Sequence, residues 1–255
     1  MTRPRGLRQR QQSAFFAGRL PRVLAHRGLA VEVDENTLAA FAAALAAGAQ
    51  IIETDVQATR DGVAVLFHDD ALPSGVLVRE VSVSQLQAEE LPRGGTVPTL
   101  AEALRAFPNA KFNIDLKSAD AISDAISAIY IAGAVERVLV TSFSGRRRRE
   151  AVRRLPGVAT SASATIVVAA VLAGKLGWGA VMKWVLRDID AVQIPETVLR
   201  LTTTTPPMVR RWHAAGVEVH VWTINEEMAM QRLIAAGVDG IVTDRCDVAH
   251  RVFAL

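Results

Sequence analysis

One cysteine, Cys246, stands among the 255 residues, so no disulfide can form within the chain and nothing points to an oxidising compartment. A lone cysteine could act as a nucleophile, but Cys246 lies in a late TDRCD turn with no base beside it, which argues against that use. Aromatic residues make up only 5% of the chain, so the interior must be built from Ala, Val, Leu and Ile, which suits helices packed on a parallel sheet. Excess charge is scarce too. A formal net charge of +3 is too small to suggest nucleic acid, and aromatic and basic residues do not interleave as they do in single-strand binders. Long apolar runs are missing: a spanning helix wants about 20 apolar residues with few charges. The most apolar stretch, Thr165 to Leu186, is interrupted by Lys175, Lys183, Gly174, Gly177 and Gly179. It reads as a buried helix and a loop, with an interfacial lipid contact as the alternative. Residues 1–20 are basic but lack the apolar run of a signal peptide. They are expected to form a disordered arm and the protein to be cytoplasmic, with peripheral membrane contact through that arm as the alternative.

Half of the residues are hydrophobic, ample for one sizeable core, and no linker or internal repeat divides the chain. The expectation is a single domain over 21–255, with a short insertion at about 69–98. Its most informative stretch runs from Ile51 to Asp70, IIETDVQATRDGVAVLFHDD. Glu53 and Asp55 are two apart, so on a strand they share a face. Asp61-Gly62 makes a turn, and Val63–Phe67 a short buried strand ending in His68-Asp69. Two like charges beside a core repel unless something cationic sits between them.

The rest of the chain alternates strand and helix, the pattern of a parallel sheet with crossovers. Strands are expected at Val23–Ala25, Lys111–Lys117, Arg137–Ser142, Gly157–Ser161, Asp190–Ile194, Val217–Trp222 and Gly240–Thr243, beside the two arms of the Ile51–Asp70 unit. That makes nine strands where an eightfold barrel needs eight, and the arms around Asp61-Gly62 are the expected excess. The basic run in the Gly145–Arg154 helix reads as a solvated face. Trp178, Trp184 and Trp212 read as packing residues, His220 as a residue held inside the barrel, and His213 and His250 as exposed helix positions.

Polar residues gather at the strand ends: His26 and Arg27, then Glu53 and Asp55, His68, Asp115 and Lys117, and Trp222. In a (β/α)8 barrel these ends form the catalytic face. Carboxylates without a thiolate suit a hard cation such as Mg2+ or Ca2+, so Glu53, Asp55 and Asp115 are the candidate ligands. His26 and His68 suit a proton-donating and proton-accepting pair near neutral pH. Arg27 and Lys117 suit a phosphate, and Trp222 could stack on the organic part of a substrate. Together these groups describe metal-assisted cleavage of a phosphodiester. Each residue taken singly also has a structural use, as a capping, bridging or packing group.

AHRG at 25–28, ENT at 35–37, the 51–70 stretch, NIDLK at 113–117, VWTIN at 221–225 and GVDGIVTD at 237–244 resemble the glycerophosphodiester phosphodiesterase family over nearly the whole chain. The resemblance implies a TIM-type (β/α)8 barrel of phospholipase C-like phosphodiesterase architecture. It implies metal-dependent hydrolysis of glycerophosphodiesters to sn-glycerol 3-phosphate and an alcohol. His26 and His68 match its catalytic histidines, Glu53 and Asp55 match metal ligands, and Arg27 and Lys117 match phosphate-contacting positions. Asp115 stands where many members carry a glutamate, one methylene longer, and the 69–98 insertion is shorter than in many members. Two other readings stand beside this one. One is lysophospholipase D-like cleavage, with the Thr165–Leu186 segment receiving a lipid chain. The other is a barrel kept as a binding or membrane-associated protein without turnover.

Overall fold

A computed structural model describes residues 13–254. Eight parallel strands form the barrel: β1 (Arg22–His26), β2 (Ile51–Ala58), β4 (Lys111–Leu116), β5 (Val138–Thr141), β6 (Ala159–Thr160), β7 (Ala191–Ile194), β10 (Glu218–Val221) and β11 (Gly240–Thr243). They are ordered β6-β5-β4-β2-β1-β11-β10-β7, and a parallel bridge between Ser161 and Ala191 brings the two ends of that order together. The ninth expected strand, β3 (Ala64–Leu66), pairs antiparallel with the end of β2, from Val56 opposite Leu66 to Ala58 opposite Ala64. It is a hairpin arm outside the eightfold frame, turned by Gly62 at a φ of 79°. A small ribbon of β8 (Thr197–Val198) and β9 (Leu201–Thr202), which the pattern did not indicate, follows β7.

Alternation along the strands sorts the core into layers. On β2, Ile52 and Val56 face outward and pack with Phe41 of α1 (Leu38–Ala46), Phe112 and Ile114. Ile51 faces inward and joins Leu24, Leu139, Ala159, Ala191 and Val242 in an apolar plug inside the barrel. Phe15, fully buried in a 3-10 turn over Ala14–Phe16, completes that plug. Of the arm expected at 1–20, residues 1–12 lie outside the described residues. Residues 13–20 are instead anchored, because a phenylalanine seals the end of the barrel where β1 begins. Arg22 reinforces the seal by donating to the Phe16 carbonyl at 2.6 Å.

The same end carries a buried polar chain. Arg22 pairs with Glu218 at 2.7 Å, and the Nε2 of fully buried His220 lies 3.1 Å from Glu218. His220 is thus held within the barrel, as expected. Gly240 makes room for its ring: a Cβ there would stand 2.9 Å from His220 Cδ2.

The helices cover the outside: α2 (Val83–Ala88), α3 (Leu100–Ala106), α4 (Ala121–Ile131), α5 (Gly145–Arg154), α6 (Ala164–Lys175), α7 (Gly179–Val185), α8 (Pro206–Ala214), α9 (Glu227–Ala235) and α10 (Cys246–Phe253). Ser82 and Thr99 close capping boxes that start α2 and α3. The 69–98 excursion has its own small core of Val65, Leu72, Val78, Leu86 and Val97. Four expectations change here. Trp178 and Trp184 are exposed, at 58% and 64%, while Trp212 is fully buried. The α6–α7 segment is therefore buried on one face only. In α5, Arg148 is buried and Arg147 turns in to donate to Ser142 Oγ at 3.0 Å, so the basic run is only partly a solvated face. His250 is only partly exposed, its ring next to Gly48.

Burial opposes ionisation of Glu218, but Arg22 and His220 outweigh it and lower its pKa to about 2. A depressed carboxylate pKa stabilises the fold above the unfolded-state value, and that contribution is lost as pH falls toward the folded one. Glu218→Gln should therefore destabilise the protein most near neutral pH, on the order of 3 kcal/mol. In denaturant unfolding across pH, the gap to wild type should close between the ordinary glutamate range and about 2.

Candidate active site

The strand ends opposite the Phe15 seal surround a cavity of about 410 Å3. His26, Arg27, Glu53, Asp55, His68, Asp115, Lys117 and Trp222, the eight residues singled out from the sequence, all line it. Strand register explains the convergence. His26 ends β1 opposite Glu53 of β2, and Asp55 two residues on is opposite Asp115 of β4. The hairpin arm returns His68 to the same place, with the Phe67 N–H donating to the Asp55 carbonyl at 3.1 Å. Arg27 takes a left-handed φ of 56°, and its N–H donates to Glu53 Oε2 at 3.2 Å.

Charges are packed tightly. Asp55, 2% exposed, meets Lys117 Nζ at 2.9 Å and Arg27 Nε at 3.0 Å. Lys117 also meets Asp115 at 2.8 Å, and Arg27 meets Glu35 at 2.8 Å. The two cations expected on a phosphate thus also hold the carboxylates together. Burial opposes ionisation of Asp55, but Lys117 and then Arg27 prevail and lower its pKa. Burial raises Asp115 despite Lys117. For Glu53, burial with the Asp55 charge added outweighs His26 and Lys117 and pushes it up to about 8.

Both histidines are held through Nδ1 by a carboxylate, His26 by Asp244 at 2.6 Å and His68 by Asp69 at 2.7 Å. Asp244 is itself fixed by Asn225, whose Nδ2 donates to its second oxygen at 2.7 Å and whose Oδ1 accepts its backbone N–H at 2.9 Å. Asn36, buried in a left-handed conformation, accepts from Thr54 Oγ1 at 2.7 Å and donates to Asp55 at 3.3 Å. Thr37 caps α1, its side chain accepting from the Ala40 N–H at 3.2 Å. The sequence places Asp244 and Asn225 at strand ends but does not reveal that they serve His26. The available signal was register: Ala25 is opposite Thr243, which puts His26 beside Asp244. Phe143 was also missed; its ring stands edge-on to Trp222 with centroids 6.2 Å apart. Cys246 is buried and its thiol is pushed up to about 11 by that burial, which rules against the nucleophile use.

The donor chemistry fits a hard cation. Glu53, Asp55 and Asp115 supply oxygen only, Asp115 Oδ1 is buried without a hydrogen-bond partner, and burial beside Asp55 opposes ionisation of Glu53. Among the described residues, no three His, Cys, Asp or Glu side chains already converge as a metal cluster, and Lys117 bridges Asp55 to Asp115.

Residues 26–248 match the family described as the Glycerophosphoryl diester phosphodiesterase family. A protein of Mycobacterium tuberculosis, "Probable glycerophosphodiester phosphodiesterase 2", is 42% identical over 235 residues, covering 90% of this chain and 89% of its own length. The crystal structure of a glycerophosphodiester phosphodiesterase from Parabacteroides distasonis superposes with a TM-score of 0.76 at 23% identity, over 93% of this chain and 98% of that one. A phosphodiesterase from Oleispira antarctica, solved with its product sn-glycerol-3-phosphate, superposes with a TM-score of 0.74 at 23% identity, over 92% and 98%. The chain belongs to the glycerophosphoryl diester phosphodiesterase family, and its fold is the family's TIM-type barrel.

Burial works to lower the pKa of His26, but the Asp244 hydrogen bond and the Glu53 charge raise it. Asp244→Asn should lower it, because a neutral amide cannot stabilise the imidazolium as a carboxylate does. NMR titration of His26 in the metal-free protein reads this directly; an unchanged value would mean that Asp244 does not hold the ring.

Proposed function

We propose that the protein hydrolyses glycerophosphodiesters, releasing sn-glycerol 3-phosphate and an alcohol. The observation that carries this reading is the convergence on one cavity of two carboxylate-bound histidines, three buried carboxylates and two cations. With Nδ1–H donating to a carboxylate, each imidazole presents Nε2 to the cavity as its working nitrogen. One Nε2 takes the proton of the substrate's neighbouring glycerol hydroxyl as it attacks phosphorus, and the other gives a proton to the departing alkoxide oxygen. Water then opens the cyclic phosphate to sn-glycerol 3-phosphate with the two roles reversed. Asp244 and Asp69 keep the two rings in that tautomer. Glu53, Asp55 and Asp115 would hold a divalent cation, Mg2+ or Ca2+, whose charge offsets that of the phosphate oxygens. Arg27 and Lys117 stand at the same carboxylates and add their charge to the phosphate site. Trp222 and Phe143 offer ring surfaces to the organic part of the substrate.

Lysophospholipase D-like cleavage is a second reading, favoured by the apolar wall that Ala162, Ala164, Val167, Val168 and Val198 give the cavity. A substrate panel separates the two. Glycerophosphocholine and lysophosphatidylcholine, each offered with Mg2+ and with Ca2+, should give turnover of the first; turnover of the second alone would replace the main reading.

Two outcomes test the machinery. His26→Ala and His68→Ala should each lower kcat by about 10^2–10^4-fold, and near-normal activity in either would remove that residue from proton transfer. EDTA should abolish hydrolysis and a divalent salt should restore it. Full activity in EDTA would sink the metal assignment, and the absence of diester hydrolysis under all conditions would favour the non-catalytic barrel.

A further inference from the structure

A helix on the outside of a barrel normally carries a polar stripe toward solvent, and one that is apolar all round is normally buried. The α6 helix fits neither pattern. Its inner face packs Val167, Ala170, Val171 and Ala173 into the core. Its outer face carries Ala169, Leu172 and Leu176, with Thr165 and Lys175 as its polar residues and Lys175 the one charge. Leu172 is 43% exposed and Leu176 is 59% exposed. The surface continues into α7, which packs against α6 beside Gly174, where a Cβ would stand 3.4 Å from Met182 Sδ. There Trp178 and Trp184 lie open, with Val181 at 45%.

The charge on this face is predominantly positive. Residues 151–187 contain no aspartate or glutamate; Lys175, Lys183 and Arg187 stand along α6 and α7, and Asp188, the next residue, lies 3.5 Å from Arg187. The Arg187 guanidinium lies 4.6 Å from the centroid of the Trp184 ring, so a cation and an indole share one spot on the surface. Exposed indoles, leucines and lysines, with Asp188 already paired to Arg187, are the composition of a surface that lies in the headgroup region of an anionic bilayer. Among the described residues no helix is long and apolar enough to cross a membrane, so the contact would lie along the bilayer. A second copy of the chain fits less well, because its own matching face repeats the same positive charge. Residues 1–12 are a poor cover: they carry Arg3, Arg5, Arg8 and Arg10, with Met1 and Leu7 as their only large apolar side chains.

We infer that the outer face of α6 and α7 docks the protein on an anionic lipid surface. The docked helix also reaches the catalytic chamber, since Ala164, Val167 and Val168 line the cavity. One helix would therefore touch lipid outside and substrate within. The inference is independent of which diester is cleaved.

Co-sedimentation of the full chain with vesicles tests it. Vesicles containing phosphatidylglycerol should carry the protein down, vesicles of phosphatidylcholine alone much less, and added salt should release it. Replacing Leu176, Trp178 and Trp184 together by serine should lower partitioning by more than about tenfold, given the apolar area withdrawn. Lys175→Glu with Lys183→Glu should do so through charge, and a chain lacking residues 1–12 should still bind. Both surface variants should keep their circular dichroism and their glycerophosphocholine hydrolysis, so a failure of docking stays separate from a failure of the catalytic reading. The inference is overturned if the wild type ignores phosphatidylglycerol vesicles, or if only removal of residues 1–12 abolishes binding. It is equally overturned if sedimentation velocity shows a dimer that the serine variant dissociates while vesicle binding is absent.

Discussion

Burying three carboxylates within one barrel mouth is the constraint on which the rest of the site depends. Ionised acids that close repel one another, and the low dielectric of the interior magnifies the cost. The chain offers two cations against them. Lys117 spans Asp55 and Asp115, Arg27 reaches Asp55, and burial beside Asp55 pushes the Glu53 pKa up. The neighbouring features follow from that shortage. Arg27 adopts a left-handed backbone that turns both its N–H and its side chain toward the acids. Asn36, also left-handed, spends its amide on the Asp55 side chain and on the Thr54 hydroxyl. A cationic centre bound among Glu53, Asp55 and Asp115 would relieve the same imbalance, and a phosphodiester would then bring its own negative charge to be met by Arg27 and Lys117.

The histidines answer to a different requirement, that of direction. An imidazole can rotate and exchange its proton between nitrogens, so a useful one must be held. Asp244 and Asp69 do this from opposite sides of the chain: one closes the last barrel strand, and the other is the immediate neighbour of the ring it holds. Asn225 then fixes Asp244 through both side-chain atoms, so the positioning of His26 extends through two residues from the β10–β11 side of the barrel. The cavity end of the barrel is in this sense polar in depth, while the opposite end is closed by Phe15 and the apolar ring around it.

Much of this is legible in the residues. The alternation of strand and helix gives the barrel, and the strand ends give the eight residues that line one cavity. The surplus strand is legible too, as the arm after Asp61-Gly62. Less legible is whatever depends on which residue neighbours which across the barrel. Asp244 serves His26 from a position 218 residues away, and only parallel register between β1 and β11 connects them. Phe15 lies in a stretch whose basic composition suggests disorder, because composition averages over the one side chain that plugs the barrel. Trp178 and Trp184 look like core residues by type, and nothing local says that their helices turn those faces outward.

The hairpin arm has a consequence of its own. His68 is delivered by β3, outside the eightfold repeat, and the segment behind it is braced by a separate cluster of Val65, Leu72, Val78, Leu86 and Val97. The two histidines are therefore delivered by different parts of the sheet, His26 by a barrel strand and His68 by the arm that pairs with the end of β2. A change in the length or sequence of the excursion would then bear first on the strand that carries the His68 imidazole, and only through β3 on the barrel strand β2. Selection on substrate preference could work on the excursion while the frame stays as it is.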